Sequence, residues 1–152
     1  MKDSKPIGWA LIGCGAAGRN MTLGAVADPD IVVKGFCDIE PKSSSTLAGE
    51  HEGTWHTTDP NRVFSDPGVD LVSIATAHDS HAELAIAALE AGKHLYLEKP
   101  MAMTTADCLR IEEARAAADR RLMLNHSIRF SNTLAAIRER LGQIMVTHGQ
   151  CT

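Results

Sequence analysis

The chain has 152 residues, of which 44% are hydrophobic and 22% are charged, and its net charge is −4. This length is sufficient for one domain with a substantial core. The negative charge provides no bulk attraction to nucleic acid or to an anionic membrane, so neither is expected as a partner. The amino-terminal residues contain no signal-peptide pattern, and no apolar run is long enough to span a membrane.

The cysteines lie far apart and form no Cys-x-x-Cys pair; they are Cys14, Cys37, Cys108 and Cys151. This spacing is typical neither of a disulfide framework nor of a zinc site. We therefore expect a cytoplasmic protein with free thiols and no bound metal.

Apolar runs alternate with helical patterns along the chain. The predicted strands are 7–12, 31–37, 54–56, 69–75, 94–97, 122–126 and 143–148. The predicted helices are 16–27, 41–50, 59–64, 80–91, 104–119 and 133–141, although a run of serines makes 41–50 a poor helix former. This alternation predicts an α/β fold, a doubly wound and mostly parallel sheet of the Rossmann type.

A glycine-rich turn joins the first strand to the first helix and comprises Gly13, Cys14, Gly15, Ala16, Ala17 and Gly18. Gly13 permits the tight turn, Gly15 lets a pyrophosphate approach the backbone, and Gly18 lets the helix pack close to the sheet. The first N–H groups of the helix, together with its dipole, favour a bound phosphate. Cys14 is interpreted as a small packing side chain, with a reactive thiol as the alternative.

Asp38 ends the second strand, about 20 residues beyond the last glycine of the turn, where a dinucleotide-binding fold places an acid on the adenosine ribose. Its charge would repel the 2′-phosphate of NADP, so NAD is favoured over NADP, with Lys42 as a partial counter-argument. Two other interpretations stay open at this point. The turn could lack a ligand, or it could belong to a methyltransferase that binds S-adenosylmethionine.

The fourth predicted strand, 69–75, delivers Thr76, Ala77 and His78 to the carboxyl edge of the sheet, where ligands bind in this fold. We predict that these residues and His81, at the start of the next helix, contact the cofactor. His78 and His81 could also hold a metal by their spacing, but a third ligand is missing.

The next strand brings Glu98, Lys99 and Pro100 to the same edge. Oxidation of an alcohol requires loss of the hydroxyl proton as hydride leaves the carbon. A buried lysine beside a cationic nicotinamide could have a lowered pKa and share that proton. Pro100 restricts Lys99 to an extended backbone. The alternative is an ordinary surface salt bridge between Glu98 and Lys99.

Several segments together resemble the Gfo/Idh/MocA family of oxidoreductases. They are residues 13–18 with Asp38, 74–81 leading to 91–100, and 125–130. The Gly-Lys-His strand that ends in Glu-Lys-Pro is the most specific of them and disfavours the methyltransferase. The resemblance covers nearly the whole chain, and it implies NAD or NADP as cofactor and a sugar, polyol or related carbonyl compound as substrate.

The resemblance also implies roles for individual residues. Lys99 would lie at the nicotinamide and take part in catalysis, and Glu98 would contact the nicotinamide end of the cofactor. Arg129–Phe130 would follow the sixth strand near the cofactor and the domain junction. The family usually has Pro and often Asn where this chain has Ala77 and His78, which leaves the path of that loop open.

The resemblance implies a two-domain protein, because members of this family have two domains and are more than twice as long as this chain. We therefore expect a dinucleotide-binding domain at 1–122, and at 123–152 a connecting strand, a helix and the first strand of a truncated domain, so that the family's second α+β substrate domain is lacking. Such a chain would be inactive alone and could self-associate through strand 143–148. The alternative is a non-catalytic module that senses or regulates through a bound dinucleotide.

Overall fold

A computed structural model describes residues 5–141. Its strands are β1 (Ile7–Ile12), β2 (Ile31–Cys37), β3 (Trp55–Thr57), β4 (Leu71–Ile74), β5 (His94–Glu98) and β6 (Leu122–Asn125). They form one six-stranded sheet in the order β3-β2-β1-β4-β5-β6, and every neighbouring pair is parallel. The predicted doubly wound sheet is confirmed, because the strand order reverses direction between β1 and β4.

The helices are α1 (Ala16–Ala27), α2 (Pro41–Gly49), α3 (Pro60–Ser65), α4 (His81–Glu90), α5 (Thr105–Ala118) and α6 (Asn132–Leu141). Two 3-10 turns, His78–Ser80 and Ser127–Phe130, precede α4 and α6. Each helix and strand predicted before residue 141 is present, with ends that shift by at most a few residues. The predicted strand 143–148 lies outside the described residues, and so does the self-association expected from it.

The serine-rich segment forms a helix despite its composition. Pro41 occupies the first turn, where its missing N–H costs nothing. Ser44 donates its hydroxyl to the Pro41 carbonyl, and Ser45 donates to the Lys42 carbonyl. These bonds stay within the helix, and the buried Leu47 anchors the segment to the sheet. Packing therefore overrides a weak helical propensity here.

The core consists of two layers, one on each face of the sheet. Alternate residues of β1 point to opposite faces, as the pleat of a strand requires. Trp9 and Leu11 pack with α1 and α2, whereas Ala10 and Ile12 pack with α3, α4 and α5. The sheet is thus covered on both faces, and its edges remain available for other roles.

The amino edge of the sheet is closed by polar side chains that bond to the backbone. Lys93, at the turn before β5, is only 7% exposed. Its Nζ donates to the carbonyls of Asp66 and Val69 at 2.7 and 2.8 Å. The Asp70 carboxylate accepts the Gly8 N–H at 2.8 Å. The Gly-Lys-His segment, singled out by sequence for its family likeness, therefore has an architectural role at this edge.

Candidate functional site

The glycine-rich turn leaves β1 at the carboxyl edge of the sheet. Gly13 has φ +96°, a conformation that favours glycine, and a Cβ there would lie 2.5 Å from the Ala75 carbonyl oxygen. A Cβ on Gly18 would overlap the Gly13 carbonyl, so only glycine lets α1 approach β1 this closely. Gly15 faces open space instead, with nothing within 4 Å of a Cβ. The structural tasks expected of Gly13 and Gly18 are therefore visible, and Gly15 leaves room for a ligand.

The amino terminus of α1 is open at this turn. Its cap residue, Gly15, makes no side-chain capping bond, and the first turn of the helix carries no acidic residue. The N–H groups of Ala16, Ala17 and Gly18 precede the first intrahelical bond, which the Arg19 N–H makes to the Gly15 carbonyl. Together with the helix dipole, these donors can hold a phosphate.

Asp38 is fixed at the end of β2 by two backbone donors. Its Oδ2 accepts the Cys14 N–H at 2.7 Å, and its Oδ1 accepts the Glu40 N–H at 2.9 Å. The carboxylate is thereby tied to the glycine-rich turn and remains partly exposed. One amide of the turn, that of Cys14, is thus already used by the protein.

The two cysteines of this region are buried and poorly suited to react as thiolates. Burial, with a smaller contribution from the Asp38 charge, raises the pKa of the Cys14 thiol from 9.0 to about 12. The same causes raise the pKa of Cys37 from 9.0 to about 11. Since the thiolate is the nucleophile, this supports the interpretation of Cys14 as a packing side chain.

A cavity of about 760 Å³ opens beside the turn and Asp38. Its walls also include Thr76 and Ala77 after β4, which the sequence singled out. Ile39 and Thr58 line it as well, and sequence reasoning missed both. They lie close to the turn because β3, β2 and β1 are neighbours in the sheet, and a local sequence motif does not predict that order.

The segment after β4 is held by its own hydroxyl groups. The Ser80 hydroxyl donates to the Ala77 carbonyl at 2.8 Å, which leaves the Thr76 hydroxyl to donate to Ser80 Oγ at 2.7 Å. His78 is exposed, does not line the cavity, and packs edge-on against the His81 ring at 5.7 Å between centroids. Direct cofactor contact by His78 stays a prediction.

The structure corrects the role expected of His81. Its side chain is 0% exposed, so it cannot touch a ligand in the cavity. Its ring nitrogens instead face two backbone carbonyls, Nδ1 that of Pro100 at 2.7 Å and Nε2 that of Thr76 at 3.3 Å. The burial of His81 could not be read from its spacing in the sequence.

Glu98 and Lys99 lie at the same edge, although not as a buried pair. The Lys99 side chain is 63% exposed and the Glu98 side chain 15%, with 4.0 Å between Nζ and Oε1. The expected burial of Lys99 is therefore wrong. The Asn125 amide donates to Glu98 Oε2 at 2.6 Å, because β5 and β6 pair Glu98 directly with Asn125. Sequence reasoning gave Asn125 no role, and the strand register reveals it.

Arg129 lies in the 3-10 turn after β6 and is exposed. This turn follows the carboxyl end of β6, at the same edge as Lys99. Arg129 does not line the cavity next to the glycine-rich turn. Its contact with a cofactor stays a prediction.

Two absences concern only residues 5–141. Within that range, no three His, Cys, Asp or Glu side chains converge as a metal site would require. In particular, no described residue of these types joins His78 and His81 as a third ligand. No helix in the same range has the length and apolarity needed to cross a membrane.

Residues 7–126 match the model of an oxidoreductase family with an NAD-binding Rossmann fold, Gfo/Idh/MocA. The match removes the methyltransferase alternative. It also covers the glycine-rich turn, Asp38 and the Glu98-Lys99-Pro100 segment, and so includes every part of the site described above except Arg129.

Known relatives include enzymes that act on sugars and polyols. The chain is 30% identical to 1,5-anhydro-D-fructose reductase of Ensifer adhaerens over 135 residues, which is 89% of this chain and 40% of that enzyme. It is 34% identical to inositol 2-dehydrogenase of Acidothermus cellulolyticus over 127 residues, which is 81% of this chain and 36% of that enzyme. The chain thus spans about two fifths of the length of these relatives.

A solved structure of biliverdin reductase from Synechocystis, in complex with biliverdin and NADP+, has the same fold. It superposes with a TM-score of 0.83 at 28% identity, over 91% of this chain and 44% of that one.

Proposed function

We propose, from the premise that this chain belongs to the Gfo/Idh/MocA oxidoreductase family, that it is the cofactor-binding half of a dehydrogenase for a sugar, polyol or related carbonyl compound. The observation that carries the proposal is the convergence of three features at one sheet edge. These are an open helix terminus at the glycine-rich turn, a fixed carboxylate at Asp38 and an exposed Lys99.

The dinucleotide would lie along this edge with its pyrophosphate at the start of α1. The N–H groups of Gly15 to Gly18 would donate to the phosphates, and the Asp38 carboxylate would accept the ribose hydroxyl hydrogens. The wall formed by Thr76 and Ala77 would lead toward the nicotinamide end. Along this path, Glu98 and Lys99 would lie at the reacting half of the cofactor.

We favour NAD over NADP. The described residues that line the cavity include the carboxylates of Asp38, Asp79 and Glu83, and no Lys or Arg is among those described residues. A 2′-phosphate would meet like charge at Asp38, whereas the two ribose hydroxyls of NAD would meet an acceptor. The NADP+ held by the biliverdin reductase is the contrary precedent, and a direct measurement separates the two.

Calorimetry of the chain with NAD and NADP tests this preference. We expect NAD to bind about tenfold more tightly, a difference of about 1.4 kcal/mol. Asp38→Asn keeps the size of the side chain and removes its charge, so it should narrow the preference. Equal binding of both cofactors by the unaltered chain would refute the assignment.

Lys99 would act on the proton of the substrate hydroxyl. Bound cofactor supplies a nicotinamide ring that accepts a hydride. During oxidation the neutral amine of Lys99 would accept the hydroxyl proton as hydride leaves the carbon, and during reduction its ammonium would return that proton. Glu98 lies 4.0 Å from the Lys99 Nζ. Asn125 holds the other Glu98 oxygen, which keeps the carboxylate oriented.

Lys99→Met tests this role in an enzyme that carries both the cofactor domain and a substrate domain. We expect kcat to fall by about 100-fold or more, because a positioned acid–base group contributes at least that much. The dissociation constant for NAD should change by less than about threefold. Unchanged turnover would rule out Lys99 as the catalytic group.

We also propose a boundary for the cofactor domain after Asn125. The boundary expected at 122 falls at the start of β6, and β6 pairs with β5 over four residue pairs in the same sheet. The short turn Ser127–Phe130 and α6 would then form the connection to a second domain.

A further inference from the structure

The buried histidine at the start of α4 joins two segments that leave the sheet from neighbouring strands. His81 is among the few polar side chains that are fully buried in the described part of the chain. Thr76 follows β4, and Pro100 follows β5. The His81 ring lies between the carbonyl groups of these two residues, at 3.3 and 2.7 Å.

The carbonyl oxygens on either side of the ring require a proton on one ring nitrogen. A carbonyl oxygen only accepts, and a neutral imidazole carries a single N–H. We assign the proton to Nδ1, because its contact with the Pro100 oxygen, at 2.7 Å, is the shorter of the two. Pro100 has no N–H of its own, so its carbonyl is the one backbone hydrogen-bonding group through which this residue can be held.

We propose that His81 is a positioning residue that sets the place of the Glu98-Lys99-Pro100 segment, and with it the backbone from which the Glu98 and Lys99 side chains extend. Because the Lys99 side chain is 63% exposed and, within residues 5–141, has one ionic contact at 4.0 Å, its direction depends on its backbone. The bond from His81 holds the adjoining Pro100 carbonyl against the end of β4. His81 thereby fixes the nicotinamide half of the cofactor site without touching the cofactor. This inference rests on the proposed cofactor site.

The same geometry leaves the other half of the site independent of His81. The glycine-rich turn is held by Gly13, whose N–H donates to the Cys37 carbonyl, and by the bond between Cys14 and Asp38. Neither bond involves α4. Loss of the His81 donor should therefore weaken contacts with the nicotinamide half and spare those with the ADP-ribose half.

Calorimetry with two probes, NAD and ADP-ribose, separates these halves. ADP-ribose keeps both riboses and the pyrophosphate and lacks only the nicotinamide ring, so the difference between the two probes reports on contacts with that ring. His81→Leu fills the buried space without a donor, and we expect it to weaken NAD binding about three- to tenfold, as the loss of one hydrogen bond does. ADP-ribose affinity should stay within about twofold.

Two conservative variants distinguish positioning from general support. His81→Asn can place an amide donor where Nδ1 stands and should restore NAD affinity to within about twofold of the unaltered chain. His81→Gln places its amide nearer the position of Nε2 and should not restore it. This pair keeps the test valid if His81→Leu fails to fold.

Three results would overturn the inference. They are unchanged NAD affinity in His81→Leu, equal weakening of NAD and ADP-ribose, and equal behaviour of the Asn and Gln variants. Failure of the proposed cofactor site has a different signature, because the unaltered chain would then bind neither probe.

Discussion

The two edges of the sheet use the same residue types in opposite ways. At the amino edge, Lys93 is buried and donates to two carbonyls at 2.7 and 2.8 Å. At the carboxyl edge, Lys99 is exposed, and among the described residues it has one ionic contact, with Glu98 at 4.0 Å. One lysine completes the fold, and the other retains its donors for something else.

The backbone shows the same contrast. Gly8 at the start of β1 gives its N–H to the Asp70 carboxylate, whereas the first turn of α1 after β1 has no side-chain cap. The first N–H groups of α1 have no intrahelical partner and can donate to a ligand, whereas the Gly8 N–H is already used by the protein. Groups whose hydrogen bonds are made within the protein therefore hold the fold together, and groups that keep free donors at the carboxyl edge can bind a ligand.

The largest expected effect separates the two lysines by stability. Lys93→Met removes the two hydrogen bonds that the charged ammonium donates, and each of the two carbonyls loses one donor. The free energy of unfolding should therefore fall by about 3 kcal/mol. Lys99→Met is the matched control and should change it by less than about 0.5 kcal/mol. Urea unfolding measures both. Equal losses would break the contrast between the edges.

A smaller effect sharpens the comparison within the glycine-rich turn. Gly18→Ala places a methyl against the Gly13 carbonyl and should cost about 2 kcal/mol of stability. Gly15→Ala places it in open space, so it should cost less than about 1 kcal/mol. NAD affinity should nevertheless fall about tenfold in Gly15→Ala, since the methyl would occupy the phosphate position. Thermal unfolding with calorimetry reports both quantities, and unaltered NAD affinity would contradict the placement of the pyrophosphate.

The smallest effect concerns the thiol beside the turn. The pKa of Cys14 is raised to about 12 in the folded chain, from an ordinary 9.0. Above pH 9 the unfolded chain loses this proton first, so the stability that the protonated thiol contributes declines as the pH rises toward 12. Cys14→Ser should reduce the loss of stability between pH 8 and pH 10, and Cys108→Ser should leave it unchanged. The midpoints of urea unfolding at the two pH values provide the measurement.

Local signals predicted much of the fold and one half of the site. Apolar runs and glycine stops located each strand and helix before residue 141, and the spacing of Gly18 and Asp38 predicted which end of the proposed site would hold the nucleotide. The signals failed where burial or register decides. His81 was expected to touch the cofactor, yet the packing of α4 encloses it. Asn125 attracted no role because its contact with Glu98 exists only through strand pairing.

The family likeness alone could not divide its own motif. Lys93 and Lys99 lie in the same segment, 91–100, and the sequence alone does not show which of the two lysines is buried. Their difference follows from the direction of β5, which carries its first residues to one edge and its last residues to the other. The fold buries Lys93 among backbone carbonyls and leaves Lys99 exposed at the proposed cofactor site.

The glycine-rich turn is braced before any ligand arrives. The Gly13 N–H donates to the Cys37 carbonyl at 2.8 Å, and the Cys14 N–H donates to Asp38 at 2.7 Å. A turn held in this way loses little conformational entropy when a phosphate docks, so more of the interaction energy remains as affinity. The open start of α1 is in this sense a rigid receptor, whose shape is determined during folding.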